Sequence, residues 1–359
     1  MLGKITFLTK RRPMGRDLFN DPYGRFFYLP SELAKLGYDV TVVAVSYRAG
    51  EDDQHEKHGI HWKSVSFIPN VLAAYGSLQE IIDTTPPRWI VGCSDTYFGI
   101  LAERIARTRG CYSVIDAYDN YCSYIPWAKP LHNVWNRAIA RSDLTTVAGP
   151  SLAELWDPLR GSKGSTVIPM APDPVGFFLR DRYRSRYDLG LPIDAPLVGY
   201  SGSIGSSRGI ETLFEACDLA RKSRPDLTLV LSGRISNATK LPANTIYLGY
   251  LPKELVPSLI NAFDVMAVIN KDSSFGNYSY PIKLYEAMAC QIPIVASRTR
   301  STEYIAREYP EFLVDPSNVS ELSIALLDAL DRGRVTYQTV PTWSDSAWKL
   351  HLALQKLLI

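Results

Sequence analysis

With 359 residues, 46% of them hydrophobic, the chain is too long for one compact domain and apolar enough to bury two cores. Its 23 glycines and 24 prolines follow no period, which excludes a collagen-like or disordered chain, and 39 Lys+Arg against 37 Asp+Glu leave a net charge of +2, too small for coating nucleic acid. No apolar run is long enough to span a bilayer, and Met1 to Thr9 enters a strand pattern without the core of a signal peptide, so a cytoplasmic protein is expected.

Lys4 to Thr9 reads as a buried strand and Gly24 to Leu36 as a helix with Phe27, Leu33 and Leu36 on its apolar side, ended by Gly37. Short β-rich runs follow at Asp39 to Val45, Ile60 to Phe67, Trp89 to Ser94, Tyr112 to Asp116 and Leu144 to Ala148. Helical stretches fall at Val71 to Asp83, Tyr97 to Arg109 and Val134 to Arg141. Such alternation implies a mostly parallel sheet covered on both faces. The pattern pauses where Pro169, Pro172, Pro174, Pro192 and Pro196 enclose the charged segment Arg180 to Arg186, which reads as an interdomain linker.

A second series then opens with strand Leu197 to Ser201, helix Gly209 to Lys222, strands Leu227 to Ser232 and Thr245 to Gly249, and helix Lys253 to Ala262. It continues through strand Asp264 to Ile269, helix Pro281 to Cys290 and strand Pro293 to Ala296 to a helix Glu321 to Ala329, for which Ser320 is the expected N-cap. A terminal helix, Trp343 to Leu358, follows Pro341. The predicted domains are therefore residues 1–172, residues 173–341 and a terminal helix, 342–359, returning to the first. Two doubly wound halves leave a central cleft at the carboxyl ends of their strands, where a ligand is expected. Cys93, Cys111, Cys122, Cys217 and Cys290 form no CxxC pair and suit separate reduced thiols.

The most informative stretch is Tyr278 to Ser297, YSYPIKLYEAMACQIPIVAS. Pro281 suits the first helical position, where free amides, the helix dipole and Lys283 would attract an anion. Glu286 lies on the same helix and taken alone also fits a surface glutamate. In the first half, Asp116 and Asp119 stand at or just beyond a strand end, placed to bind an acceptor hydroxyl or, for Asp119, to act as its general base; loop capping fits them too. Asp95 is a candidate acceptor contact that equally suits a helix N-cap. The basic loop Lys10 to Arg16, with Gly15 a candidate acceptor contact, suits an anionic ligand or plain solvation. His55, His58 and His61 share a spacing, but Gly59 breaks any helix between them, so no metal site is expected. GSIGSSRG lacks the GxGxxG spacing, and no nicotinamide or other cofactor is expected.

Pro281, Lys283, Glu286 to Ala289, Pro293 and Val295 together resemble the donor-site helix of the family-four glycosyltransferases, which have the GT-B fold of two Rossmann-like domains. Gly202 to Gly209 resembles the family's phosphate loop, Val167 to Asp173 the segment ending the first domain, and Ser232 to Arg234 its second glycine turn. The resemblance implies a retaining, metal-independent enzyme of glycoconjugate or polysaccharide synthesis. It would move a sugar from a nucleotide-sugar to a glycan, lipid-linked or small-molecule acceptor.

It further implies that Glu286 accepts hydrogen bonds from the donor ribose, that Lys283 and Arg208 meet the diphosphate and serve catalysis, and that Gly202, Ser203, Gly233, Arg234, Tyr250, Leu251, Tyr278 and Pro281 line the donor. Two departures stand out. Tyr278 occupies the place of a first glutamate, and Ser203 and Arg208 stand where arginine and lysine are usual, so one of two cations is missing. These keep open a nucleotide-sugar epimerase on the same fold, and a non-catalytic homologue that binds nucleotide or glycan. The basic segments Lys10 to Arg16 and Arg180 to Arg186 also suit a loose peripheral contact with an anionic membrane.

Overall fold

The computed structural model describes residues 2–235 and 239–359. They form two compact units, Met1–Met170 with Trp343–Ile359, and Ala171–Thr342.

In the first unit the chain runs β1 (Lys4–Lys10), α1 (Arg25–Lys35), β2 (Asp39–Ser46), β3 (Asp53–Lys57), β4 (Ile60–Ser66), α2 (Val71–Thr84), β5 (Trp89–Gly92), α3 (Thr96–Arg109), β6 (Tyr112–Asp116), α4 (Lys129–Arg141), β7 (Leu144–Val147), α5 (Pro150–Arg160) and β8 (Thr166–Val167). The sheet order is β3-β4-β2-β1-β5-β6-β7-β8, and every pair is parallel except β3 with β4. β2, DVTVVAVS, is buried at every residue but the first, as a strand covered on both faces must be. Leu8, Val43, Ile90 and Phe98 belong to the core that this sheet shares with α2 and α3.

The helix after β1 turns a different face inward from the one its sequence suggests. Phe26, Leu29 and Leu33 are buried, whereas Phe27 and Leu36 are only half-buried, because the buried stripe begins one residue earlier. β3 pairs antiparallel as a mostly exposed polar edge, DQHEK, which carries no apolar alternation to announce it. α4 starts at Lys129 rather than near Val134, with Pro130 in its first turn.

The second unit contains α6 (Arg182–Asp188), β9 (Leu197–Ser201), α7 (Ile210–Ala220), β10 (Thr228–Ser232), β11 (Thr245–Tyr247), α8 (Val256–Ala262), β12 (Val265–Val268), α9 (Ser274–Tyr278), α10 (Ile282–Ala289), β13 (Ile294–Ser297), α11 (Arg300–Ile305), β14 (Leu313–Val314) and α12 (Val319–Arg332). Its all-parallel sheet runs β11-β10-β9-β12-β13-β14, so the strand order reverses between β9 and β12. Val198, Leu213, Leu229, Val265 and Leu326 lie in the core between this sheet and α7 and α12. The chain's last helix, α13 (Trp343–Lys356), belongs to the first unit and packs on α1, with Trp343 stacked on Tyr28 at 5.5 Å.

Three expectations are corrected. Asn318, not Ser320, caps α12, its side chain accepting from the Glu321 amide at 3.1 Å. Pro281 is the N-cap of α10, with extended backbone, and Ile282 is the first helical residue. The segment Arg180 to Arg186 is no free linker. Arg186, 1% exposed on α6, donates to Asp264 at 2.6 Å and to the carbonyls of Ala262, Ile193 and Ala195.

Asp264 also pairs with Arg182 at 2.6 Å and accepts the Leu197 amide at 2.8 Å. Removing one partner of a buried pair leaves the other charge uncompensated. Asp264→Ala should therefore lower the unfolding free energy of the second unit by about 3–5 kcal/mol in urea titrations, and a loss below about 1 kcal/mol would contradict the account.

Candidate functional site

At the carboxyl end of β9 the chain enters the loop Gly202 to Gly209, and at the end of β10 the turn Gly233 to Ile235. The two are zipped together. The Gly202 amide donates to the Ser232 carbonyl at 2.9 Å, the Ile204 amide donates to the Arg234 carbonyl at 2.8 Å, and Ile204 and Ile235 form a parallel bridge. Gly233 has φ +139°, and a Cβ there would lie 1.8 Å from the Gly202 carbonyl oxygen, so only glycine lets the two turns meet. Ser203 is exposed, and its carbonyl accepts the Tyr200 hydroxyl. Exposed Arg234 lies over the ring of Tyr250 at 5.4 Å, with Leu251 half-buried next along the chain.

Arg208 ends a short 3-10 turn just before α7 and is half-buried. It lies 4.0 Å over the Phe275 ring and donates to the Asn270 side chain at 3.3 Å. Neither Phe275 nor Asn270 stands out in the sequence. The one available signal is that Asn270 follows the end of β12, where an open parallel sheet presents ligand contacts.

Glu286 is not the surface residue that its sequence position alone allows. It is 8% exposed, inside α10, among buried Leu284, Tyr285, Ala287 and Met288. Its Oε2 has no hydrogen-bond partner among the described residues. Lys283, one turn earlier, places its ammonium 3.6 Å from that oxygen, close enough to attract and too far for a good hydrogen bond. Burial raises the Glu286 carboxyl above its ordinary value against the pull of Lys283, and the charge of Asp173 adds to the rise. Tyr278, at the end of α9, and Pro281 lie in the half-buried segment leading into α10.

The candidates in the first unit are more heavily engaged. Asp116 is 5% exposed and forms a two-pronged pair with Arg25, 2.8 Å at each oxygen, and accepts the Thr146 hydroxyl at 2.6 Å. Arg25 in turn donates to the Ile168 carbonyl at 2.8 Å, so this network ties α1, β6 and β7 together. Asp119 accepts from the Tyr124 hydroxyl at 2.6 Å and from the Asn120 amide. Asp95 caps α3, accepting from the Tyr97 and Phe98 amides, and pairs with Lys10 at 2.6 Å. Gly15 lies in a short 3-10 turn after β1.

In the basic loop Arg11 and Arg12 pair with Asp17 and Glu51, and Arg16 pairs with Asp21. His55 is on β3 and His61 on β4, while His58 occupies the left-handed turn between them, at φ 58°. Among the described residues no three His, Cys, Asp or Glu side chains cluster as a metal site would require, and no helix is long and apolar enough to cross a membrane.

Two Rossmann-like domains with parallel sheets of this order define the GT-B fold. Sucrose-phosphate synthase from Thermosynechococcus elongatus has the same fold, with a TM-score of 0.71 and 16% identity over 99% of both chains. HepE of Anabaena, solved in complex with UDP, gives a TM-score of 0.70 with 18% identity over 99% of this chain and 95% of its own. Residues 181–338, which lie within the second unit, match the family model for glycosyl transferases group 1. A GDP-mannose-dependent monoacylated alpha-(1-6)-phosphatidylinositol monomannoside mannosyltransferase of Corynebacterium glutamicum is 25% identical over 160 residues, 42% of either chain. The chain thus spans less than half the length of that curated relative.

The zipped glycine turns yield a stability test. Gly233→Ala forces a strained φ and a backbone clash and should cost about 1–3 kcal/mol by thermal melting. Gly202→Ala, with nothing nearer than 3.5 Å to its new methyl, should melt close to wild type. Equal melting of all three proteins would show that the turns are not packed in this way.

Proposed function

We propose that the chain is a retaining glycosyltransferase that moves a sugar from a nucleoside-diphosphate sugar to a hydroxyl of a glycan, lipid-linked or small-molecule acceptor, without a metal. The observation that carries this reading is the Glu286 carboxylate, buried in α10 with an oxygen that has no hydrogen-bond partner among the described residues, only the Lys283 ammonium at 3.6 Å. A buried polar group without a partner costs free energy, and a ligand donor offsets that cost. The two vicinal hydroxyls of a ribose match the two oxygens of one carboxylate. HepE, solved with UDP, and the relative named for GDP-mannose support a nucleoside diphosphate as the common element.

In the proposed reaction the bond between the anomeric carbon and the diphosphate breaks while the acceptor oxygen attacks from the same face. The acceptor proton passes to the departing phosphate oxygen. Arg208 and Lys283 stabilise the charge growing on that leaving group, and most of the acceleration comes from orientation and electrostatics. On this reading Asp119 contacts the acceptor hydroxyl. Turnover should survive EDTA.

A thermal-shift panel of nucleotide sugars tests the reading, since a donor at a hundred times its dissociation constant adds about 2.7 kcal/mol of stability. No shift with any UDP, GDP or ADP sugar would contradict it. Glu286 itself should trade stability for binding. Its folded carboxyl titrates above the unfolded one, so ionisation favours the unfolded state; stability is fullest below the usual carboxylate range and falls as pH rises through the folded value. Glu286→Gln should thus melt higher than wild type at pH 8, with the difference closing toward pH 4, while nucleotide affinity drops about tenfold or more. A variant less stable than wild type at pH 8, or one with unchanged nucleotide affinity, would refute the assignment.

A further inference from the structure

The reversal of strand order between β9 and β12 is where an open parallel sheet receives its ligand, outside the carboxyl ends of those two strands. The loop after β9 brings Arg208 to this point, while Ser203, the other place where the family resemblance implies a cation, is neutral. The segment after β12 brings a cation that no motif announces. The stem of Lys271 crosses Gly209, with Cγ 3.1 Å and Cε 3.5 Å from the position a Cβ on that glycine would take. Gly209, at φ 76°, is the N-cap of the 11-residue helix α7, so the Lys271 stem lies against the start of that helix.

Arg208 reaches the same place, donating to the side chain of Asn270, the neighbour of Lys271. The backbone here is fixed. The Asn270 amide donates to the Ser297 hydroxyl at 3.1 Å, and Gly276 packs so closely that a Cβ on it would lie 2.0 Å from the Lys271 carbonyl oxygen.

Cations at a helix N-terminus oppose the helix dipole, so two gathered there call for negative charge between them. Glu211, in the first turn of α7, supplies one such charge. Its carboxyl is held below its ordinary value first by the Ser206 hydroxyl, then by its own amide, with a contribution from Lys271. One carboxylate against two cations and the dipole leaves the helix start positive. The independent sign that a ligand belongs to this unit is the buried Glu286 Oε2, which has no hydrogen-bond partner among the described residues.

We propose that Lys271 is a donor-binding residue whose ammonium, with Arg208, holds the diphosphate of the nucleotide sugar and replaces the cation missing at Ser203. This rests on the nucleotide-sugar reading given above.

Calorimetry on the full chain with UDP, GDP, uridine and guanosine tests it. Lys271→Met should weaken the diphosphate that wild type binds about tenfold, the worth of one charge-assisted hydrogen bond, and leave the matching nucleoside unchanged. Lys271→Arg should keep most of the affinity because the charge remains. A Lys271→Met protein with wild-type diphosphate affinity overturns the proposal, as does equal loss for nucleoside and diphosphate, which marks a structural role. If Glu286→Gln loses diphosphate affinity while Lys271→Met does not, Lys271 alone is refuted. If wild type binds none of these four compounds and neither ADP nor any nucleotide sugar of the thermal-shift panel, the nucleotide-sugar reading falls and takes Lys271 with it.

Discussion

Parallel strands covered by helices on both faces have only their ends free for chemistry, and this constraint decides where each candidate side chain stands. In the second unit β9, β10 and β12 are buried along almost their whole length, so what they present is the set of loops at their carboxyl ends. Because the strand order turns back between β9 and β12, segments some sixty residues apart in sequence become neighbours: Arg208 meets Asn270 and Phe275, and the Lys271 stem lies against Gly209. The glycine pair 202 and 233 follows from the same geometry. Two adjacent parallel strands end side by side, and their exit turns interlock because Gly233 carries no Cβ to meet the Gly202 carbonyl.

Buried charge sorts the remaining residues by role. Arg25 and Asp116 are buried, as is Arg186 beside the mostly covered Asp264, with each charge answered by its opposite and by carbonyl, hydroxyl or amide partners, the arrangement that makes a buried ion tolerable. Such pairs hold elements together, and Asp116, for all its position at a strand end, is occupied in this way. Glu286 is the contrast, a carboxylate of similar burial whose Oε2 has no hydrogen-bond partner among the described residues and only the Lys283 ammonium at 3.6 Å beside it, with a carboxyl pushed upward by its surroundings. On the proposed reading, the free energy left unrecovered there is what the ribose hydroxyls of a bound donor recover.

The alternation of short apolar runs with helical stretches was enough to place the long strands and helices, since β1, β2, β9 and β12 are apolar runs bounded by turns. The edges escaped it. β8 and β14 are two residues each and β3 is polar, so none has a period to detect. α9 and α11 are five and six residues and are set by local caps at Ser273 and Thr299 rather than by an apolar stripe. The Ser320 cap was missed by two residues because serine and asparagine serve that position equally well, and only the hydrogen bond to Glu321 decides between them.

Among the candidate residues, the helix that carries Lys283 and Glu286 was legible in the run Pro281 to Cys290. The occupation of Asp116 was not, because its partner Arg25 is 91 residues away in sequence. Asp95 meets both of its readings' requirements at a strand end, yet the structure uses it as a cap. That the Lys271 stem lies against the start of α7 could not be read from the sequence, since nothing local distinguishes it from a solvated lysine. That placement arises only when β12 is laid beside β9.

The central claim, that α10 holds a nucleotide through Glu286, is tested most directly by a crystal structure of the chain soaked with UDP or GDP. The account predicts both ribose hydroxyls within about 2.5–2.8 Å of the Glu286 carboxylate oxygens, the range of a hydroxyl on an anion. A nucleotide bound elsewhere on the second unit, with Glu286 Oε2 still unpartnered, would contradict it.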